Sequence, residues 1–152
     1  LPAGNVLNSG TGFLNPVEET TLTVPSTATK VITVGAYDAR FDQAAAFSGR
    51  GYTRATNQVK PDLVAPGVEI MSCAPGGGYQ VRTGTSMATP FVTGSAALLM
   101  QWGIVNGNDA YLYGEKMKAD LIRGARKLPG FTVYPNPVLG WGALCTANSI
   151  PR

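Results

Sequence analysis

The chain has 152 residues, the size of one ordinary domain, and its 44% hydrophobic and 14% charged residues allow it to bury a core. Its net charge of +3 is spread along the sequence, and the basic cluster in residues 116–127 is interpreted as a solvated helix face rather than a nucleic-acid site. No uninterrupted apolar run approaches a membrane span, and the lack of histidine and of Cys-x-x-Cys excludes a zinc site. We therefore expect one globular domain that binds neither nucleic acid nor a membrane.

Three short segments rich in β-branched residues are predicted to be strands: residues 21–24, 30–37 and 68–74. The second is an almost continuous apolar run, which is typical of a strand buried on both faces. The residues Pro75–Gly78 are expected to turn the chain back into a hairpin. Cys73 and Cys145 are interpreted as two separate thiols rather than a disulfide.

Two helices are predicted after the hairpin. The first runs from about Ser86 to about Trp102 and is apolar nearly all round, so it belongs inside the protein. The second begins after Asp109 as N-cap and ends near Arg126. Its buried stripe is formed by residues four apart: Tyr113, Met117, Leu121 and Ala125. The tail from residue 131 is expected to run over the surface with a short strand and a final helical turn. These elements predict an α/β protein with mixed strand directions.

The stretch "GTSMATP" at residues 84–90 puts Ser86 at the start of the first helix, where free N–H groups and a partial positive charge point outward. A hydroxyl there suits a nucleophile, and its own N–H suits a developing oxyanion. A serine that only caps the helix is the alternative, and helix position alone favours it. The stretch also loosely matches the G-x-S-x-G elbow of α/β-hydrolases, but that esterase hypothesis needs a histidine after Ser86, and none follows.

Longer blocks of the sequence resemble the subtilisin-like serine peptidases, or subtilases. In order they are "LPAGN" at the start, "VITVGAYDARFDQAAAFSGRG", "KPDLVAPGVEIMSCAPGGGYQVRTGTSMATP", "GTSMATPFVTGSAALL" and "GWGALCTANS" near the end. The likeness is collinear over essentially the whole chain. It implies that residues 1–152 are the C-terminal part of a single subtilase catalytic domain. The implied fold is a partial subtilisin-like α/β fold, with a mostly parallel sheet, a buried nucleophile-bearing helix and a β-hairpin before it.

The resemblance also implies roles for two residues. Ser86 would attack a peptide carbonyl and form an acyl-enzyme, and Asn5 would donate its side-chain amide to the oxyanion beside the Ser86 N–H. Proteins or peptides would be the substrates, and secretion of the parent protein is expected. No cofactor is evident. Many family members bind calcium, but no cluster of acids here indicates a site.

The family's catalytic acid and histidine precede the serine, so both are expected upstream of Leu1. Asp38 and Asp62 lie in blocks where the family has no triad member. The isolated chain is therefore expected to be inactive, and either the missing N-terminal half or a second copy should cover an open face. A truncated chain is favoured over a cleavage product and over a pseudo-protease remnant. A peptide- or protein-binding pseudo-protease is the alternative function.

Overall fold

The computed structural model describes Gly12, residues 14 and 15, and residues 17–151. The strands in this part are β1 (Val34–Asp38), β2 (Gln43–Ala44), β3 (Gly51–Tyr52), β4 (Val59–Lys60), β5 (Leu63–Pro66), β6 (Ile70–Cys73) and β7 (Tyr79–Arg82). The helices are α1 (Thr85–Met100), α2 (Gly114–Gly124) and α3 (Thr146–Ser149), and a π-helical turn at Gln101–Val105 continues α1.

The strands β1 and β5 form the centre of the domain and run parallel, with Val34 opposite Leu63. β2 pairs antiparallel with the end of β1, so both strand directions occur, as predicted. Successive side chains of a strand point to opposite faces. Ala36 accordingly belongs to the core cluster that contains residues of α1 and α2. Its neighbour Tyr37 belongs to a second cluster formed with the C-terminal segment. The sheet is therefore buried on both faces, as its apolar sequence indicated.

The helix α1 packs one side against β1 and β5 and leaves the other exposed. Val92 and Leu99 are buried in the core, whereas Phe91 is 42% and Leu98 is 53% exposed. Thr85–Val105 is long and apolar enough to cross a membrane by length and composition, although its apolar residues do not form one uninterrupted run. The core helix of a folded domain passes the same test, but 28% of this window is buried. α1 is therefore buried along one side only, at Ala88, Val92, Ser95 and Leu99, and not all round as its apolar sequence indicated.

The predicted hairpin is confirmed by β6 and β7, which pair antiparallel with Met71 opposite Val81. The predicted strand at residues 21–24 is wrong, because this segment makes no ladder and passes into a turn that the Ala28 N–H closes on the Pro25 carbonyl. β5, which no strand prediction covered, is the parallel partner of β1. The two cysteines are free thiols, as expected.

The predicted start of α2 is wrong, because the helix begins at Gly114 and Asp109 is not its N-cap. The Asp109 N–H donates to the Gly103 carbonyl, and its own carbonyl accepts from Leu112, so the residues after it form a turn. Its carboxylate pairs with Lys116 in the first turn of α2 instead. In the predicted buried stripe, Met117 and Leu121 are buried, whereas Tyr113 and Ala125 are not.

Part of the C-terminal segment lies in the core, and the expectation that the segment runs over the surface is wrong for this part. Leu139 and Ala143 are fully buried. The segment also extends the sheet, since the Val64 N–H donates to the Gly142 carbonyl and the Val64 carbonyl accepts from Leu144, at 2.9 and 2.8 Å. The tail thus satisfies the outer edge of β5, which would otherwise be a free strand edge. α3 supplies the final helical turn that was predicted.

A close backbone approach makes Gly140 a sensitive position. Its φ is +57°, and a Cβ there would lie 2.1 Å from the Pro61 carbonyl oxygen, which is backbone and cannot swing away. We expect Gly140→Ala to lower the free energy of unfolding by at least about 2 kcal/mol, from strain and overpacking together. Gly130→Ala is the matched control, because its φ is +81° and nothing lies within 4 Å of the added carbon. Equal losses for both variants in chemical denaturation would contradict a packing cause.

Candidate active site

Ser86 is the second residue of α1, and its side chain is exposed. Gly84 is the N-cap, and no side chain caps the helix, so Ser86 does not have the capping role that was its alternative. The N–H groups of Thr85 and Ser86 belong to the first helical turn, whose amides have no carbonyl one turn back. The site therefore combines an accessible hydroxyl with backbone donors and the positive end of a helix dipole.

The turn that presents Ser86 is tied tightly to the central sheet. The Gly84 N–H donates to the Gly67 carbonyl at 2.8 Å, and the Glu69 N–H donates to the Thr83 hydroxyl at 2.9 Å. A Cβ on Gly67 would lie 2.6 Å from the Ala36 Cβ and 3.0 Å from the Gly84 carbonyl oxygen. Glycine at 67 therefore lets this turn sit directly against β1, and a larger residue would displace Ser86.

Cavities on three sides adjoin Ser86. The largest, here called the Ser86 pocket, has a volume of 680 Å³. It is lined by residues 21–23, 25–26, 31–34 and 46–50, together with Glu18, Thr85, Ser86 and Thr89. A second of 450 Å³ lies along α1 beside Pro90 and Thr93, and a third of 310 Å³ lies between α1 and β6. The hydroxyl is thus open to a bound chain from several directions.

Most polar groups of the Ser86 pocket already have partners within the chain. The Thr33 hydroxyl donates to the Ser26 carbonyl at 2.6 Å, and the Ser48 hydroxyl accepts from the Ala36 N–H at 3.0 Å. Glu18 and Arg50 pair with each other at 3.0 Å at the rim. The polar groups of the pocket wall are therefore held in place, and its two charged side chains pair with each other.

No base contacts Ser86 in the described part of the chain: no side chain there makes a hydrogen bond to its hydroxyl, and the sequence has no histidine. Asp38 pairs with Arg40, which lowers the pKa of Asp38 through their hydrogen bonds, and Asp62 is engaged elsewhere. Asn5, the expected oxyanion donor, lies outside the described residues. Ser86 is therefore the predicted site residue that the described part of the chain contains.

A buried charged cluster, which sequence reasoning missed, lies behind the Ser86 pocket. Lys60 is 1% and Asp62 is 5% exposed, and Asp62 accepts from Lys60 at 2.7 Å and from Lys118 at 2.8 Å. Burial lowers the pKa of Lys60, and hydrogen bonding to Asp62 opposes that shift. Two ammonium groups thus depend on one carboxylate for their counter-charge. The signal in the sequence was a Lys-Pro-Asp run directly before the buried strand β5.

No group of three or more metal-ligating side chains occurs among the residues that the structure describes. Calcium binding therefore remains an expectation from the family resemblance and has no site assigned to it.

Comparison with known proteins identifies the family. The profile of Peptidase_S8, the subtilase family, matches residues 2–142. The serine protease AprX of Bacillus subtilis is 34% identical over 98% of this chain and 36% of its own length. The minor extracellular protease Vpr of the same organism is 34% identical over 72% of this chain and 14% of its own.

The solved structure of the Clostridium perfringens CspB protease superimposes with a TM-score of 0.89 at 46% identity, over 95% of this chain and 30% of that one. The chain thus spans about a third of the length of AprX and of CspB. Its partial α/β fold, with the serine-bearing helix after a hairpin, therefore corresponds to part of the CspB protease. The chain belongs to the subtilase family of serine peptidases.

Proposed function

We propose that this chain is the nucleophile-bearing part of a serine endopeptidase. Ser86 Oγ attacks the carbonyl carbon of a peptide bond, its proton passes to a base, and the oxyanion is held by the Ser86 N–H and the Asn5 amide. The C–N bond then breaks, the protonated amine leaves, and water hydrolyses the acyl-enzyme. The observation that carries this proposal is the exposed Ser86 hydroxyl at the uncapped N-terminus of α1, beside a 680 Å³ pocket.

The base comes from polypeptide outside this sequence, because the sequence has no histidine. Without a base, the Ser86 hydroxyl stays a neutral, weak nucleophile. The isolated chain is therefore inactive in this proposal. The oxyanion role of Asn5 is inferred from the resemblance to the subtilase family. In subtilisin, loss of the corresponding asparagine donor lowers turnover by about 10²–10³-fold.

The polypeptide that supplies the base, here called the completing polypeptide, binds the outer face of α1. We define this face as Pro90, Thr93, Gly94 and Ala97, with Phe91 and Leu98 at its edge. All six are exposed, although four are apolar and none is charged. Small residues such as Gly94 and Ala97 let another backbone approach closely. Thr93 follows Ser86 by seven residues, about 10 Å along the same side of the helix. Polypeptide bound here would therefore reach the Ser86 hydroxyl.

The occupant of this face is the rest of the catalytic domain, since AprX and CspB are about three times as long as this chain. A second copy of the chain is the competing occupant. A pseudo-protease that binds peptides without cutting them is the second function. It requires that the completing polypeptide lack the acid or the histidine. The extracellular location named for Vpr supports secretion of the whole protein.

A fluorophosphonate probe tests the proposal. We expect no labelling of the isolated chain, because Ser86 lacks a base. We expect labelling at Ser86 in a chimera in which this sequence replaces the matching part of AprX. A folded chimera that resists the probe while AprX itself reacts would overturn the nucleophile role. Sedimentation of the chimera distinguishes the rest of the domain from a second copy of the chain as the occupant of the outer face of α1. A dimer that persists in the chimera would show that a second copy does not compete with the rest of the domain for this face.

A further inference from the structure

The floor of the Ser86 pocket is held by the buried charged cluster through backbone groups. The Thr33 N–H donates to Asp62 Oδ2 at 2.7 Å, and the Asp62 N–H donates to the Thr33 carbonyl at 2.9 Å. The Val31 carbonyl accepts from Lys60 at 3.1 Å and from Lys118 at 3.0 Å. Val31 and Thr33 both line the pocket. The cluster therefore sets where this part of the pocket wall lies.

The hydrogen bonds continue from the floor to the rim of the pocket. The Thr33 hydroxyl donates to the Ser26 carbonyl at 2.6 Å, and the Ser26 hydroxyl in turn donates to the Thr23 carbonyl. Thr23 and Ser26 also line the pocket. One chain of polar contacts thus runs from Asp62 through Thr33 to the rim, over a segment that has no regular secondary structure of its own.

Lys118 links this series of hydrogen bonds to a helix that is remote in the sequence. It lies on α2, none of whose described residues lines the Ser86 pocket. Its ammonium group is 2.8 Å from Asp62 Oδ1 and 3.0 Å from the Thr29 and Val31 carbonyl oxygens. Two of these acceptors belong to residues 29–33, here called the floor segment, and the third is the Asp62 carboxylate that holds it. The side chain of Lys118 is 16% exposed, so water can reach its end, whereas Lys60 is fully enclosed.

We propose that Lys118 is a positioning residue for the Ser86 pocket, acting through Asp62 and residues 29–33. Its role in peptide hydrolysis rests on the proposed function; its role in holding the pocket floor does not. Stability alone gives little reason for such a cluster, since well-packed apolar groups often replace buried ion pairs at no cost. Directed hydrogen bonds do what apolar packing does not: they fix backbone atoms in place. Displacing a binding wall by about 1 Å can cost about 10²-fold in rate.

Native-state hydrogen exchange on the 152-residue chain tests the positioning role without any catalysis. We expect Lys118→Met to speed exchange of the Thr33 amide at least about tenfold while the β6–β7 amides keep their wild-type rates, because the change loosens one segment. Lys118→Arg, which keeps the charge, should restore most of the protection. Lys127→Met is the matched control, since Lys127 also donates to a carbonyl, that of Trp141, away from the pocket. The inference would be overturned if Lys118→Met left the exchange rate of the Thr33 amide unchanged, or raised the exchange rates of all amides by the same factor.

Kinetics in the AprX chimera give the functional readout. We expect Lys118→Met to raise KM about tenfold with kcat nearly unchanged, because the pocket wall moves while Ser86 stays in place. Lys118→Arg should bring KM back towards wild type. A fall in kcat with KM unchanged, or no recovery with arginine, would contradict the role in substrate positioning. An inactive unmodified chimera would instead count against the proposed function, and the exchange result would still decide whether Lys118 holds the floor.

Discussion

Replacing Ser86 with alanine will lower peptide hydrolysis by the AprX chimera about 10⁶-fold, the magnitude established for the serine of subtilisin itself. The hydroxyl is the atom that forms the acyl-enzyme, and no neighbouring group can take its place. The same change should alter the free energy of unfolding by less than about 0.5 kcal/mol, because Ser86 is exposed and its hydroxyl makes no hydrogen bond within the described residues. Peptide turnover and chemical denaturation measured on the same preparations check both statements.

Thr132→Ala serves as the control for this experiment, since Thr132 is another exposed hydroxyl and lies in the C-terminal segment, away from the Ser86 pocket. It should retain full turnover. A loss of only tenfold on Ser86→Ala would mean that another nucleophile or a bound water performs the reaction. An equal loss in both variants would point to a general defect in the chimera rather than to chemistry at Ser86.

Asp62→Asn will lower the free energy of unfolding by about 3–5 kcal/mol, the cost of breaking a buried ion pair from one side. The asparagine keeps the shape of the side chain but leaves the ammonium groups of Lys60 and Lys118 without a counter-charge. Lys60 is 1% exposed and cannot turn to solvent. Its pKa, already lowered by burial, loses the hydrogen bond that opposes the shift. Chemical denaturation of the chain at neutral pH measures the loss.

Glu69→Gln is the surface counterpart of that variant. Glu69 pairs with Arg40, but its side chain is 58% exposed and water readily replaces the pair. We expect a loss of less than about 1 kcal/mol. If Asp62→Asn cost no more than Glu69→Gln, the buried cluster would contribute no net stability through its charge balance.

Local patterns in the sequence predicted the elements that form from neighbouring residues. The hairpin follows from glycines at 76–78 after a β-branched segment, and α1 follows from an unbroken run of small and apolar residues. Pro90, expected in the first turn, lies in the second turn because the helix begins at Thr85. The position of Ser86 at the mouth of α1 follows from the same local rules. The long collinear blocks indicated the family, which the comparisons confirmed.

The elements that were missed or misplaced depend on partners far away in the chain. β5 has only four residues, and its pairing with β1 is visible only once the chain folds back. The C-terminal segment looked like surface because of its Pro and Gly content, yet it enters the core since Val64 needs hydrogen-bond partners on its free side. Asp109 looked like an N-cap, but its carboxylate is engaged by Lys116.

The sequence by itself determined the α/β class and the serine-bearing helix, because these depend on residue types at short, regular spacing. It also determined the family, through long blocks in the same order along the chain. Only the tertiary structure decided that Lys60, Asp62 and Lys118 meet behind the Ser86 pocket. Lys118 lies 56 residues after Asp62 in the numbering, and no local pattern relates them. Their meeting depends on how α2 packs beside the sheet, and burial of that apolar interface is what brings the charges together.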